Sequence, residues 1–316
     1  MKESLPSLER KGSHDSAIVL RIFRHGNKEK AMTAEDQARF DLLKSQGLEI
    51  DKDYWIKLNP EGRVQAFDAS DASGDMSQSL AYGSPRIRSR ETAMHVMDGT
   101  NTGPEMTYEE TLAELDKDLK MGSKVGVDER LNFAAAGETG EAFNKAYERK
   151  ETLKWLVEES DEMARANKDT VTSTYSRMAG NVASLVEKYF RASDRWEELV
   201  EDESKGYDKE LNRFLGTHQT VTESFLAKVM EKTRGADFRN KFIDALGGMG
   251  FGFVEGATIR IENKDGEKKI MIEYSKDLSD GTKFEFNEEI SPEIIREIIK
   301  ESDLGIEQGQ EERKAA

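Results

Sequence analysis

No cysteine occurs anywhere in the 316 residues, which removes disulfides, thiolate nucleophiles, zinc–thiolate sites and iron–sulfur clusters as bases for function. Long apolar runs are missing as well. None approaches the roughly 18 residues of a membrane span, and the first 16 residues, MKESLPSLERKGSHDS, lack the apolar stretch of a signal peptide. Positive charge is in deficit: 63 acidic against 47 basic residues give a net charge of -16. Such a chain is a poor general partner for a nucleic-acid backbone or an anionic membrane. A small anionic substrate stays compatible, because a pocket can be cationic inside an acidic protein. The expectation is a soluble cytoplasmic protein with no nucleic-acid and no membrane partner; oligomeric state is unreadable.

With 36% hydrophobic and 35% charged residues, the length suits one large domain with a heavily solvated surface. Residues 1–16 read as a polar arm. Ala17 to Phe23 (AIVLRIF) is short, apolar and β-branched, the signature of a buried strand. Thr33 to Gln46 carries a Thr N-cap, acids in its first turn and a glycine just beyond, which predicts a helix. Asn59-Pro60-Glu61-Gly62 opens another, with proline in its first turn. Ser79 to Gly83 predicts a second strand with a helix from Pro85 to Met97 behind it, and Leu211 to Gly216 a third strand followed by a helix from Thr220 to Thr233. Two further strands, VEGATIRIE and KKIMIEY, flank Asn263-Lys264-Asp265-Gly266, a good hairpin turn. Ser291-Pro292-Glu293 caps a last helix.

Strands separated by helices predict an α/β three-layer sandwich with a mostly parallel central sheet and an antiparallel edge hairpin. The stretch from about 104 to 208 reads as a helical cap or insertion. The single domain would span 17–300, with a charged tail over 301–316.

In an open α/β sheet, ligands gather at the carboxyl ends of strands. The first predicted strand ends in Arg24-His25-Gly26, the second leads into Ser84-Pro85-Arg86-Ile87-Arg88, and the third ends in Thr217-His218. Two of only four histidines thus fall where one pocket can form, together with several arginines. Neutral imidazole is a competent nucleophile toward phosphorus. The charge spread over a phosphoryl group in flight needs fixed donors, and the planar guanidinium fork suits it best. The set describes a phosphoryl-transfer site with no cofactor and no metal required.

These motifs, in this order, resemble those of the histidine phosphatase (phosphoglycerate mutase-like) superfamily. LRIFRHGNKE resembles its R-H-G signature, LNPEGRVQAF the helix start that follows, YGSPRIRSRETA its S-P-x-x-R segment and LGTHQTV the strand end bearing the second histidine. The resemblance spans roughly residues 17–275. It implies that His25 is the nucleophile that becomes phosphohistidine, that Arg24 and Arg88 grip the phosphate, and that His218 completes the pocket. The implied activity is a metal-independent phosphatase, a phosphoric monoester hydrolase, acting on a small phosphorylated substrate. A phosphomutase and a phospholigand-binding protein without turnover are the alternatives.

The chain departs from the family pattern in two places. An extra stretch of about 28–57 follows the R-H-G segment. The family's general acid has no direct counterpart: Gln219 follows His218, and Phe133 stands where a glutamate would fall. Glu138 is the first choice for that acid, with Glu129 and Glu29 as the others. His95 reads as an ordinary helix-face residue, and Arg86 and Arg90, two positions either side of Arg88, are expected to point away from the phosphate and to meet solvent or pair with carboxylates. Asp68 to Asp75 (DASDASGD) lacks the ligand spacing of a calcium loop, and the glycines of Gly248 to Gly252 precede a strand, unlike those of a dinucleotide site.

Overall fold

The computed structural model describes residues 15–48, 51–70, 78–98, 103–110, 125–264 and 266–306. Seven strands form one sheet in the order β3-β2-β4-β1-β5-β6-β7. They are β1 (Ser16–Arg24), β2 (Leu80–Gly83), β3 (Val125–Val127), β4 (Glu210–Thr217), β5 (Gly256–Lys264), β6 (Glu267–Asp277) and β7 (Lys283–Glu289). The first four run parallel to one another, and β5 to β7 continue the sheet as an antiparallel meander. The described helices are α1 (Ala34–Ser45), α2 (Pro60–Asp68), α3 (Ile87–Asp98), α4 (Gly137–Glu148), α5 (Thr152–Trp155), α6 (Asp161–Ala166), α7 (Tyr175–Glu201), α8 (Val221–Arg234), α9 (Ala236–Ala245) and α10 (Pro292–Glu301).

The residue pattern of each strand follows from what covers it. On β1, Ile18, Leu20 and Ile22 face a core built with α7 and α8, while Phe23 joins Phe214, Ala93 and Met94 on the side of α3. With helices on both faces, β1 is apolar almost throughout, as parallel strands in α/β proteins are. The antiparallel half alternates instead: Ile259, Ile261, Ile270, Ile272, Phe284 and Phe286 enter the one core, with partly or fully exposed residues between them. The helices therefore make two layers around the sheet, giving the expected three-layer sandwich with its antiparallel edge.

Local signals account for the helix starts. Thr33 accepts from the Asp36 amide at the head of α1, and Asn59 accepts from the Gly62 amide at the head of α2. Some predicted elements change. The 104–208 stretch is helical over much of its described length, but it also supplies β3, and its longest helix, α7, packs against β1, β5, α8 and α10 as part of a main layer. An apolar stripe on a long helix looks the same whether it faces a sheet or another helix. The strand β7 was not anticipated, although Phe284 and Phe286 alternate with charged residues in KFEFNEE. Of the expected arm, Ser16 already belongs to β1 and residues 1–14 lie outside the described ones. Of the expected tail, Glu301 closes α10, Leu304 is buried, and 307–316 lie outside the described residues. The DASDASGD segment also falls largely outside them.

Candidate active site

Strand register brings the two histidines together. β1 and β4 are parallel neighbours with Arg24 opposite Thr217, so the residue after each strand emerges at the same level. The His25 amide donates to the Thr217 carbonyl at 2.9 Å. The imidazoles of His25 and His218 meet edge to face, 5.2 Å between centroids. On the far side of β4, Gly83 of β2 pairs with Gly216, and the turn Ser84-Pro85-Arg86 carries the chain into α3 and Arg88. Carboxyl ends of three parallel strands thus build one site, the place such sheets bind ligands.

The tautomer of His25 follows from its neighbours. The Arg88 Nε–H donates to His25 Nε2 at 3.2 Å, and a guanidinium cannot accept, so Nε2 carries a lone pair. The proton therefore sits on Nδ1, which donates to the Gly26 carbonyl at 2.7 Å. Burial, then the charge of Arg88, holds the His25 pKa well below the usual imidazole value. His25 is a neutral base with its lone-pair nitrogen turned to Arg88. His218 is likewise kept neutral, first by burial and then by His25 and Arg88. Its Nε2 shares a 2.7 Å hydrogen bond with Ser84 Oγ, which in turn contacts Ser89 Oγ at 2.8 Å.

A cleft of about 960 Å³ opens over these groups. Arg24, Lys28, Arg86 and Arg88 line it together with Phe133, Phe143, Tyr147 and Phe253. Arg24 is anchored through Nη1 to the Phe251 carbonyl at 2.5 Å, with its guanidinium 4.4 Å from the centre of the Phe253 ring. The loop that holds it is braced by Glu223, whose Oε1 accepts from the amides of Thr220 and Phe251. Glu223 is buried, and burial raises its pKa to about 7.

The structure brings His25, Arg24, Arg88 and His218 together as the motifs implied. It does not bring Glu138 to them. That residue is exposed in the first turn of α4 and is absent from the cleft lining, as is Glu129, exposed in a short 3-10 turn. Glu29 is the carboxylate found among the described lining residues. Gln219 lines the cleft and donates to the Met249 carbonyl.

Arg86 pairs with a carboxylate, one of the two outcomes expected of it, yet it also lines the cleft. Helix α3 starts at Ile87, so the helical spacing that would turn Arg86 away does not apply, and its guanidinium reaches the Asp53 carboxylate and, at 2.6 Å, the Phe133 carbonyl. His95 is buried, with neither ring nitrogen hydrogen-bonded among the described residues, and desolvation lowers its pKa to about 4.

Asp53 was missed altogether. It sits in the extra 28–57 stretch, in a 3-10 turn (Lys52–Trp55). Its carboxylate touches Lys28 at 3.0 Å, Arg88 at 2.8 Å and Arg86. These cations outweigh its partial burial and hold its pKa far below the usual carboxylate range. An acid in a polar segment carries no signal of its own until the arginines it meets are known.

No protein-family model matches the chain, and no curated protein does. Among solved structures, the similar ones include a mycobacterial glucosyl-3-phosphoglycerate phosphatase, 16% identical with a TM-score of 0.40 over 78% of this chain and 91% of that one. Another is phosphoserine phosphatase from Entamoeba histolytica, 15% identical with a TM-score of 0.36 over 77% of this chain and 90% of that one. A Klebsiella phytase is 12% identical with a TM-score of 0.32 over 92% of this chain and 96% of that one. At such identities the likeness is one of fold, and the chemistry has to be argued from the cleft.

Proposed function

We propose that this protein is a phosphoric monoester hydrolase that works through a phosphohistidine on His25. The carrying observation is the neutral His25, its Nε2 lone pair aimed at the Arg88 guanidinium inside a cleft that also holds Arg24, Arg86 and His218. An ester phosphate binding there takes over Arg88. Nε2 attacks phosphorus, and the ester oxygen leaves with its electron pair. Water then attacks the phosphohistidine, the P–N bond returns its pair to Nε2, and inorganic phosphate departs. Arg24 and Arg88 stabilise the charge on the transferring oxygens, and His218, whose Nδ1 makes no hydrogen bond among the described residues, adds a further polar group. This scheme asks nothing of a metal, so turnover is expected to survive a chelator.

The test is rapid quenching at neutral pH with a phosphorus-labelled monoester. Label on the protein, lost in His25→Ala together with hydrolysis, supports the reading; hydrolysis persisting in that variant sinks it. One observation favours a second reading, a phospholigand-binding protein without turnover: Glu138 and Glu129 lie away from the cleft, and the amide Gln219 follows His218. That reading expects inorganic phosphate or vanadate to bind while no ester is hydrolysed.

A further inference from the structure

We propose that the cleft selects phosphate monoesters of aromatic alcohols. This rests on the phosphohistidine reading of His25 and names the substrate class for it. The first support is the aromatic part of the cleft lining. Seven large apolar side chains are exposed among the described residues, and the two aromatic ones, Tyr147 at 50% and Phe253 at 41%, both line this cleft. Half-buried Phe133 and Phe143 line it too, their rings 4.7 Å apart. Exposed aromatic faces at the mouth of a concave site are surface awaiting a ligand, and rings prefer the edge or offset face of another ring. Phe253 lies 6.4 Å from the His25 ring, centroid to centroid, and also stacks against Arg24. A ring attached to a phosphate on His25 therefore comes within reach of Phe253, while the phosphate stays on the guanidinium groups.

The second support is the supply of protons. Asp53, the carboxylate in contact with Arg88, is paired with three cations and stays ionised. Glu29 stands between Lys28 and Lys30 on the segment after the nucleophile. A phenol leaves from a group of pKa about 10 and needs little protonation. An alkoxide, nearly as basic as hydroxide, needs an acid. In the first step the Nε2 pair forms the P–N bond while the P–O(aryl) pair departs on a phenolate, which takes its proton from water. Water then cleaves the P–N bond, so the sum is ester plus water giving phenol plus inorganic phosphate.

The experiment measures kcat/KM for para-nitrophenyl, phenyl and ethyl phosphate on the full chain, with label trapping for each ester and Phe253→Ala beside the parent. Expected is a fall of at least roughly 100-fold from phenyl to ethyl phosphate, the scale of absent acid assistance. Phe253→Ala is expected to raise KM for phenyl phosphate roughly tenfold while inhibition by inorganic phosphate changes less than about twofold. A series flat within about tenfold, with label on His25 from every ester, overturns the aryl proposal and leaves the phosphohistidine intact. Hydrolysis without label on His25 overturns the underlying reading instead. An unchanged KM in Phe253→Ala also counts against the aromatic wall.

Discussion

Asp53 Oδ2 lies 2.8 Å from Arg88 Nη2, and the Asp53 carbonyl takes Arg88 Nη1 at 2.8 Å, so with Nε on His25 each nitrogen of that guanidinium has a partner. A phosphate arriving at His25 must compete with a carboxylate already seated among Arg86, Arg88 and Lys28. Asp53→Asn removes the competing charge and leaves the cations in excess. Inorganic phosphate is then expected to bind roughly 3- to 10-fold more tightly, read by calorimetric titration at one fixed ionic strength. Weaker binding would mean that Asp53 serves to hold Arg88 in place rather than to compete for it.

The neutrality of His25 has a signature in solution. Burial and Arg88 disfavour the imidazolium, so the ring is expected to stay unprotonated through the pH 6–8 range where an ordinary imidazole titrates. The sign follows: the unfolded chain binds this proton more readily, so folding stability declines as the pH falls below 6.5. NMR titration of the imidazole C–H resonances, assigned with His25→Ala, checks it. Arg88→Ala removes the second-largest cause and is expected to move the midpoint upward. A His25 midpoint near 6.5 in the parent would contradict the buried geometry.

The parts of the site that were legible in the sequence are those fixed by chain direction. β1 and β4 end in Arg24-His25 and Thr217-His218, and a parallel pair delivers both ends to one edge whatever the remaining detail. What stayed hidden depends on contacts between distant segments. Asp53 becomes informative only when its turn docks on Arg86 and Arg88, and Glu223 acts on Arg24 through the Phe251 backbone. That Arg86 also lines the cleft was hidden because a shift of two residues in a helix start changes which way a side chain faces. β3, three residues long, has too few positions for any period to register.

Glu223 supplies a pH test of that hidden brace. Burial raises its pKa to about 7 from an ordinary 4.5, so the folded protein holds this proton more tightly than the unfolded chain. Stability contributed this way is intact below pH 4.5 and is lost as the pH rises toward 7. Glu223→Gln keeps an oxygen for the Thr220 and Phe251 amides but carries no charge. Relative to the parent, the variant is expected to gain roughly 1–3 kcal/mol between those limits. Because Glu91 is also buried and raised to about 7, the parent's own curve contains both groups. The difference between the two proteins in urea unfolding at several pH values isolates Glu223. A difference independent of pH would mean the carboxyl is ionised throughout.

The last prediction concerns Gly62, which the chain after His25 crosses at very close range. A Cβ on Gly62 would meet the Asn27 carbonyl oxygen at 2.0 Å and its carbonyl carbon at 2.8 Å, and one on Gly26 would meet the Gly62 oxygen at 2.6 Å. Neither residue has a positive φ, so space rather than backbone freedom demands glycine here. At Gly26 the two segments make a close crossing. Gly62 also lies in the first turn of α2, its amide bonded to Asn59 Oδ1 at 2.7 Å, while the Asn59 amide bonds the Asn27 carbonyl at 3.1 Å. Gly62→Ala must push Asn27 outward, and Asn27 is two residues from His25. Overpacking of this kind costs about 1–3 kcal/mol, and the displaced His25 is expected to lower kcat/KM at least tenfold, as a misplacement of roughly 1 Å can. Gly47→Ala gives the comparison: its φ of 83° makes alanine strained there, but nothing lies within 4 Å. It should lower stability by about 1 kcal/mol and leave kcat/KM unchanged. Equal activity losses in the two variants would mean that general destabilisation, and not the crossing beside His25, governs the effect.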